Sequence, residues 1–126
     1  MRAVIQRVLS ASVTVDGETI SSISQGLLVL LGIGKDDTIS DSEYIANKIL
    51  ALRLFDSEDN SRWRKSVKDI NGELLCVSQF TLLANTSKGS KPDFHNAMGG
   101  ESSRELYAKF LDRLGELYQS GRIKGA

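Results

Sequence analysis

The sequence predicts an α+β domain: a mixed, largely antiparallel and barrel-like β-sheet with two main helices packed on it. Three observations predict it. Gly26 to Ile33 is a continuous apolar run of strand length, which fits a central strand covered on both faces. Arg2 to Leu9 alternates, with Val4, Gln6 and Val8 on one side and Ile5, Arg7 and Leu9 on the other. Two later segments carry apolar residues at helical spacing, each behind a pair with capping-box spacing. Strands and helices interleave without an internal repeat, a linker or a low-complexity segment.

In order along the chain, Arg2 to Leu9 and Ser12 to Val15 are the first two strands. Asp16-Gly17 is a hairpin turn, and Glu18 to Ile20 returns from it. Gly26 to Ile33 follows as the central strand. Ser40 and Glu43 open the first helix, whose stripe is Ile45, Ile49 and Leu52. It ends near Arg53, and Leu54-Phe55 leads into a strand. Asp56 to Lys68 is polar and charged, and forms a loop around Trp63. Asn71-Gly72 turns the chain into a strand over Glu73 to Leu83. Asn85 to Met98 holds the single Pro, Gly89, two Ser and no period, so it is the longest loop and the favoured place for function. Ser102 and Glu105 open the second helix, with Leu106, Phe110, Leu114 and Leu117 as its apolar stripe.

Composition narrows the function. The 126 residues suit one domain spanning 1–126. Sixteen basic and sixteen acidic side chains cancel, so any nucleic-acid contact must come from local patches. A lone Cys76 excludes an intrachain disulfide and suits a reducing compartment. Its apolar neighbours make it a buried structural thiol before a nucleophile. No apolar run is long enough to span a membrane, and the alternating N-terminus is not a signal peptide, so the expected location is cytoplasmic. No Gly-x-Gly-x-x-Gly, Walker loop or metal-spaced Cys/His cluster occurs, so neither a cofactor nor a metal is expected.

One run departs from the apolar pattern. Leu74-Leu75-Cys76-Val77 leads into Ser78-Gln79-Phe80-Thr81, and Leu82-Leu83-Ala84 follows. Two hydroxyls and an amide at the end of a buried strand serve a hydrogen-bonded network or face a ligand. Strand alternation sends Ser78 and Phe80 one way, Gln79 and Thr81 the other; a strand end or bulge near Phe80 lets both pairs line one pocket. The next segment, Lys88-Gly89-Ser90-Lys91-Pro92-Asp93-Phe94-His95, favours the ligand. Together the two segments resemble the active-site signature of the D-aminoacyl-tRNA deacylase family, the D-Tyr-tRNA deacylases. Ala3-Val4-Ile5-Gln6-Arg7-Val8, Ala11-Ser12-Val13-Thr14-Val15 and Gly26-Leu27-Leu28-Val29-Leu30-Leu31-Gly32-Ile33 are similar to the same family, in the same order.

The resemblance implies a hydrolase that cleaves the ester between a D-amino acid and the terminal ribose of tRNA, a chiral proofreading step in translation. Glycyl-tRNA is a second candidate substrate. Ser78, Gln79, Phe80 and Thr81 are then the catalytic positions, with the Phe80 backbone N–H stabilising the oxyanion and the RNA 2′-hydroxyl assisting water. Gln6, Arg7, Lys91, Pro92 and Phe94 are the substrate-binding positions. Arg7 is either a surface residue on an edge strand or a pocket wall that orients the chirality-checking loop. Phe94 either stacks on the terminal adenine or anchors its loop. Lys88, Arg62, Arg64, Lys65, Arg122 and Lys124 are candidate phosphate contacts or simply solvated charge. Thr81 resembles a suspected nucleophile, but no activating base lies near it in sequence, and His95 is expected to hydrogen-bond within its loop. The resemblance also implies a homodimer, in which a Gly-cis-Pro pair of one subunit enters the partner's pocket. The family's C-terminal strand, with its Asn-x-Gly-Pro-x-Thr motif, has no counterpart before Ala126, so the expectation is a C-terminally incomplete domain. The rival function is a non-catalytic nucleic-acid-binding module, for which Lys91 to His95 resembles relatives associated with replication-origin DNA.

Overall fold

The alternation of the first residues is realised as strand β1, Arg2–Val8, in a computed structural model that describes residues 1–126. β1 pairs antiparallel with β4, Gly26–Gly32, from Arg2 opposite Gly32 to Val8 opposite Gly26. Between them β2, Ala11–Val15, and β3, Glu18–Ile23, form a separate hairpin. Its turn is the one expected: Asp16 and Gly17 take φ of 52° and 80°, the left-handed pair that matches strand twist. β5, Glu73–Ser78, runs parallel to β4, and a short β6, Ile123–Gly125, runs parallel to β5. The main sheet is ordered β1-β4-β5-β6.

The α+β class, the mixed sheet and the two helices stand as expected. The sheet is not closed into a barrel, because β1 and β6 remain its edges. Parallel pairing on both sides of β5 also makes it less antiparallel than expected.

Helix α1, Ile39–Ala51, starts earlier than Ser40 and Glu43 suggest. Thr38 and Asp41 have the same spacing and supply the cap: the Asp41 carboxylate accepts the Thr38 N–H at 2.8 Å. Glu43 is left to reach α2, where it receives Arg113 Nε at 2.8 Å. Helix α2, Gly100–Leu117, has Gly99 as its N-cap, so Ser102 lies inside its first turn. The Leu54-Phe55 strand shrinks to an isolated bridge between Phe55 and Lys65. The strand expected to run to Leu83 stops at Ser78, and Phe80–Leu83 winds into a 3-10 turn.

Both helices lie on one face of the sheet. Leu27, Val29 and Leu31 of β4 and Leu74 and Cys76 of β5 point at Ala46, Ile49 and Leu50 of α1 and Leu106, Phe110 and Leu114 of α2. All are buried, and each large aliphatic or aromatic member contributes about 1.5–3 kcal/mol. The other face is less complete. Leu28, Leu30 and Val77 are only half-buried and Val4 is exposed, so β4 is not covered equally on its two sides. No helix is long and apolar enough to cross a membrane.

Candidate functional site

β5 delivers the polar run to the edge of the sheet. Ser78 is its last residue, paired with Leu31, and the Gln79 N–H makes the closing bond to Leu31 O at 2.7 Å. The chain then turns over the end of β4. That turn needs Gly32: a Cβ there would lie 2.5 Å from Leu83 Cδ2, 2.9 Å from Leu82 Cβ and 3.1 Å from Gln79 O. A glycine inside an otherwise apolar strand marks such an approach, and Gly32 is a residue that sequence reasoning passed over. Arg2 is another. It reaches from β1 to Leu82 O at 2.9 Å and holds the far end of the turn.

The turn is the strand end at which alternation breaks. Phe80 is 57 % exposed. The N–H groups of Phe80 and Thr81 have no acceptor in the chain, as befits the first residues of a helical turn. Thr81 Oγ1 accepts the Gln79 Nε2–H at 2.5 Å, and no carboxylate or imidazole touches it. Ser78 is exposed and makes no side-chain hydrogen bond.

The long loop returns over this turn. Asn85 and Asp93 bond each other reciprocally, at 2.7 and 2.9 Å, and pinch off residues 86–92. Lys88, Lys91 and Pro92 are exposed on that tip. Phe94 is half-buried, with its ring edge-to-face on Phe80 at 5.3 Å between centroids. Beyond it the chain docks along the exit of β4, through Lys35 N–H to Asn96 O and Met98 N–H to Ile33 O, each at 2.9 Å. His95 Nδ1 lies 2.5 Å from Asp93 Oδ2, and its backbone N–H donates to Asp93 Oδ1 at 3.0 Å. That backbone bond, then the ring, holds the Asp93 carboxyl below the usual range. A 450 Å³ cleft between Arg2, Asn85 and Asn96 borders the turn through Leu83 but contains none of Ser78, Gln79, Phe80 or Thr81. The larger 760 Å³ cleft lies on the outer face of α1, around Tyr44 and Lys48, away from this surface.

Gln6 and Arg7 are not brought here. Ser78 sits across from Leu31, which faces Ala3. Arg7 is four residues further along β1, about 13 Å at the rise of an extended strand. It bonds Leu54 O at 3.1 Å and lies 3.6 Å from Asp56 Oδ1. Gln6 is exposed on the opposite face of the sheet. Arg122 also has a local partner, Asn71 O at 2.6 Å. Cys76 is buried as expected, and burial pushes its thiol up to about 12, which removes it from nucleophilic chemistry.

The surface is therefore a backbone turn with two free N–H groups, an aromatic pair beside it and no activated side chain. Its sequence matches the family model described as D-Tyr-tRNA(Tyr) deacylase over residues 4–125. A D-aminoacyl-tRNA deacylase of Drosophila melanogaster is 62 % identical over 124 residues, covering 98 % of this chain and 77 % of its own length. One of Schizosaccharomyces pombe is 52 % identical over 124 residues, covering 98 % and 83 %. The solved structure of a c-Myc DNA Unwinding Element Binding Protein is 50 % identical with a TM-score of 0.95, over 99 % of this chain and 83 % of that one. A probable eukaryotic D-amino acid tRNA deacylase shares the fold at a TM-score of 0.77 and 17 % identity, over 90 % and 66 %. With a model matched over nearly its whole length and relatives of this identity, the chain belongs to the D-Tyr-tRNA(Tyr) deacylase family.

Proposed function

We propose that this chain hydrolyses the ester bond of D-aminoacyl-tRNA, releasing the free D-amino acid and tRNA. The observation that carries the reading is the pair of unengaged N–H groups at Phe80 and Thr81, exposed where no side-chain base is in reach. An aminoacyl ester is already activated. Positioning plus donors aimed at the developing oxyanion are then the largest contributions a protein can make. Water adds to the carbonyl carbon, the two N–H groups hold the oxyanion, and the bond to the ribose 3′-oxygen breaks as that oxygen takes a proton. The vicinal 2′-hydroxyl of the RNA relays the proton. Gln79 orients Thr81, Phe94 offers its ring to the terminal adenine, and Lys91 and Pro92 line the approach from the exposed tip.

The turn forms one wall of a site. A homodimer that covers the half-exposed sheet face around Val4, Leu30 and Val77 would supply another. It would also let Gln6 of a second copy, which shares that face with Val4, approach the first. A cytoplasmic location fits a tRNA substrate and the single buried thiol. A DNA-binding role, for which Lys91 to His95 and the name of one solved relative speak, is the weaker reading, because the matching family model and the relatives at 62 % and 52 % identity are described as deacylases.

The test uses a D-aminoacyl-tRNA whose terminal adenosine lacks its 2′-hydroxyl. It should bind as the ribo substrate does and hydrolyse at least about a hundredfold more slowly, the effect of losing one positioned proton-transfer group. Equal single-turnover rates would overturn the substrate-assisted mechanism. No hydrolysis of either substrate would overturn the activity.

A further inference from the structure

Residues 56–64 of the loop around Trp63 lie outside both the core and the proposed site, yet they are hydrogen-bonded along their length. Phe55 N–H donates to Lys65 O at 2.9 Å, and Phe55 O accepts from both Arg64 and Lys65, at 3.0 and 2.9 Å. Ser57 N–H bonds Ser61 O at 2.9 Å, and the Asp59 carboxylate takes Ser61 N–H at 3.1 Å. The loop is braced from end to end. On its returning arm, at a bend between Ser61 and Lys65, Trp63 has a φ of 58° and is 63 % exposed. For a bulky side chain the left-handed region is an outlier that costs about 1–2 kcal/mol, and such strain collects where a residue is held for a purpose. Here it holds an indole out into solvent.

The charges around it are sorted. Asp56 faces Arg7 and Glu58 faces Lys65, at 3.6 and 3.4 Å, while the Asp59 carboxylate is taken up by Ser57 and Ser61 of its own turn. Arg62 and Arg64, the residues before and after Trp63, are exposed and make no ion pair. An exposed aromatic between two unpaired guanidiniums is complementary to unpaired nucleotides, whose bases stack while phosphates take the arginines. The loop is tied to the Arg7 end of β1, about 13 Å or more along the strand from the turn that carries Phe80. That separation suits a nucleotide other than the one carrying the ester.

We propose that Trp63, flanked by Arg62 and Arg64, is a second RNA contact that stacks on an unpaired nucleotide of tRNA away from the ester. The inference rests on the tRNA reading of the function. Trp63 is the only tryptophan of the chain, so its emission reports on this loop alone. Titration of the full chain with uncharged tRNA should quench it. Trp63→Leu should weaken tRNA binding about tenfold, as removal of one stacking side chain does, while Trp63→Phe keeps most of the affinity. The pair Arg62→Ala and Arg64→Ala should lower the salt dependence of binding by about two phosphate contacts. Trp63→Gly should bind as poorly as Trp63→Leu yet melt no lower than the parent, because glycine relieves the strained φ. A structural tryptophan would show the opposite.

If tRNA binds but Trp63 emission, affinity and salt dependence are all unmoved, the inference is overturned and the deacylase reading survives. If emission instead shifts with protein concentration alone, the loop is a contact between copies and the inference is again overturned. If tRNA does not bind the parent chain at all, both readings fall together.

Discussion

Thr81 and His95 are the two side chains that first invite suspicion, and their surroundings argue against both. Thr81 Oγ1 is occupied as an acceptor from Gln79, and nothing nearby can remove its proton. The His95 ring is tied to Asp93 of its own loop. Thr81→Ala and His95→Ala should each retain hydrolysis of D-aminoacyl-tRNA within about tenfold of the parent, measured under single-turnover conditions. Loss of a true nucleophile costs several orders of magnitude, roughly 10⁴ or more. A loss of that size with an unchanged circular dichroism spectrum would move the chemistry from the backbone to the side chain. Cys76 offers a cleaner case. With its thiol pushed up to about 12 inside the core, it should resist iodoacetamide in the native protein and react once urea unfolds it.

At the scale of elements, the site depends on how closely the turn after β5 approaches the end of β4. Gly32→Ala puts a methyl group 2.5 Å from Leu83 Cδ2 and 2.9 Å from Leu82 Cβ, so the turn must shift. The expected costs are about 1–3 kcal/mol of stability from overpacking and about a hundredfold in hydrolysis from a misplacement on the order of 1 Å. Gly121→Ala is the control, since nothing lies within 4 Å of its added Cβ. Equal rates for the two variants would mean that the Phe80 and Thr81 N–H groups need no exact placement. The element boundaries show the same limit of local signals. Thr38 with Asp41 and Ser40 with Glu43 are both plausible caps in sequence, and only one can sit where the chain leaves β4. Gly34 N–H bonds Asp37 Oδ2 at 2.6 Å in that connection, which places Thr38 as the first residue free to cap.

The whole molecule carries a pH dependence of definite sign. Asp41, Glu43, Asp69, Glu73 and Asp93 all lie below their ordinary values, held mainly by Thr38, Arg113, Ser66, Ser24 and His95 respectively. Each folded carboxyl binds its proton less readily than the same group in the unfolded chain. Their contribution is therefore present above the ordinary values of 4.5 for Glu and 3.8 for Asp, and is lost as pH falls through the depressed folded values. Urea midpoints should be flat from pH 7 to about 5 and fall steadily below, with added salt weakening the share of Glu43 and Arg113. A midpoint unchanged at pH 3 would show that these bonds persist in the unfolded chain. At the same scale, light scattering at micromolar concentration should give the mass of a dimer. A monomer would leave the sheet face around Val4 and Leu30 open and the proposed site without its second wall.

What the sequence determined by itself was whatever depends on residues near one another in the chain. The Asp16-Gly17 turn, the apolar stripes of both helices, the buried run of β4 and the order of matching segments are all local patterns with a period or a spacing. The polar run Ser78 to Thr81 was legible for the same reason, as a break in an apolar pattern. The tertiary structure alone decided the rest. β6 is three residues long and exists because β5 offers it an edge, so no local signal announces it. The strand through Phe80 became a turn because Gly32, nearly fifty residues earlier, leaves room for it. Gln6 and Arg7 are neighbours in sequence on opposite faces of the sheet, far from the run they were expected to join. Long-range packing sets which donors are left without acceptors, and at Phe80 and Thr81 those unengaged donors form the proposed site.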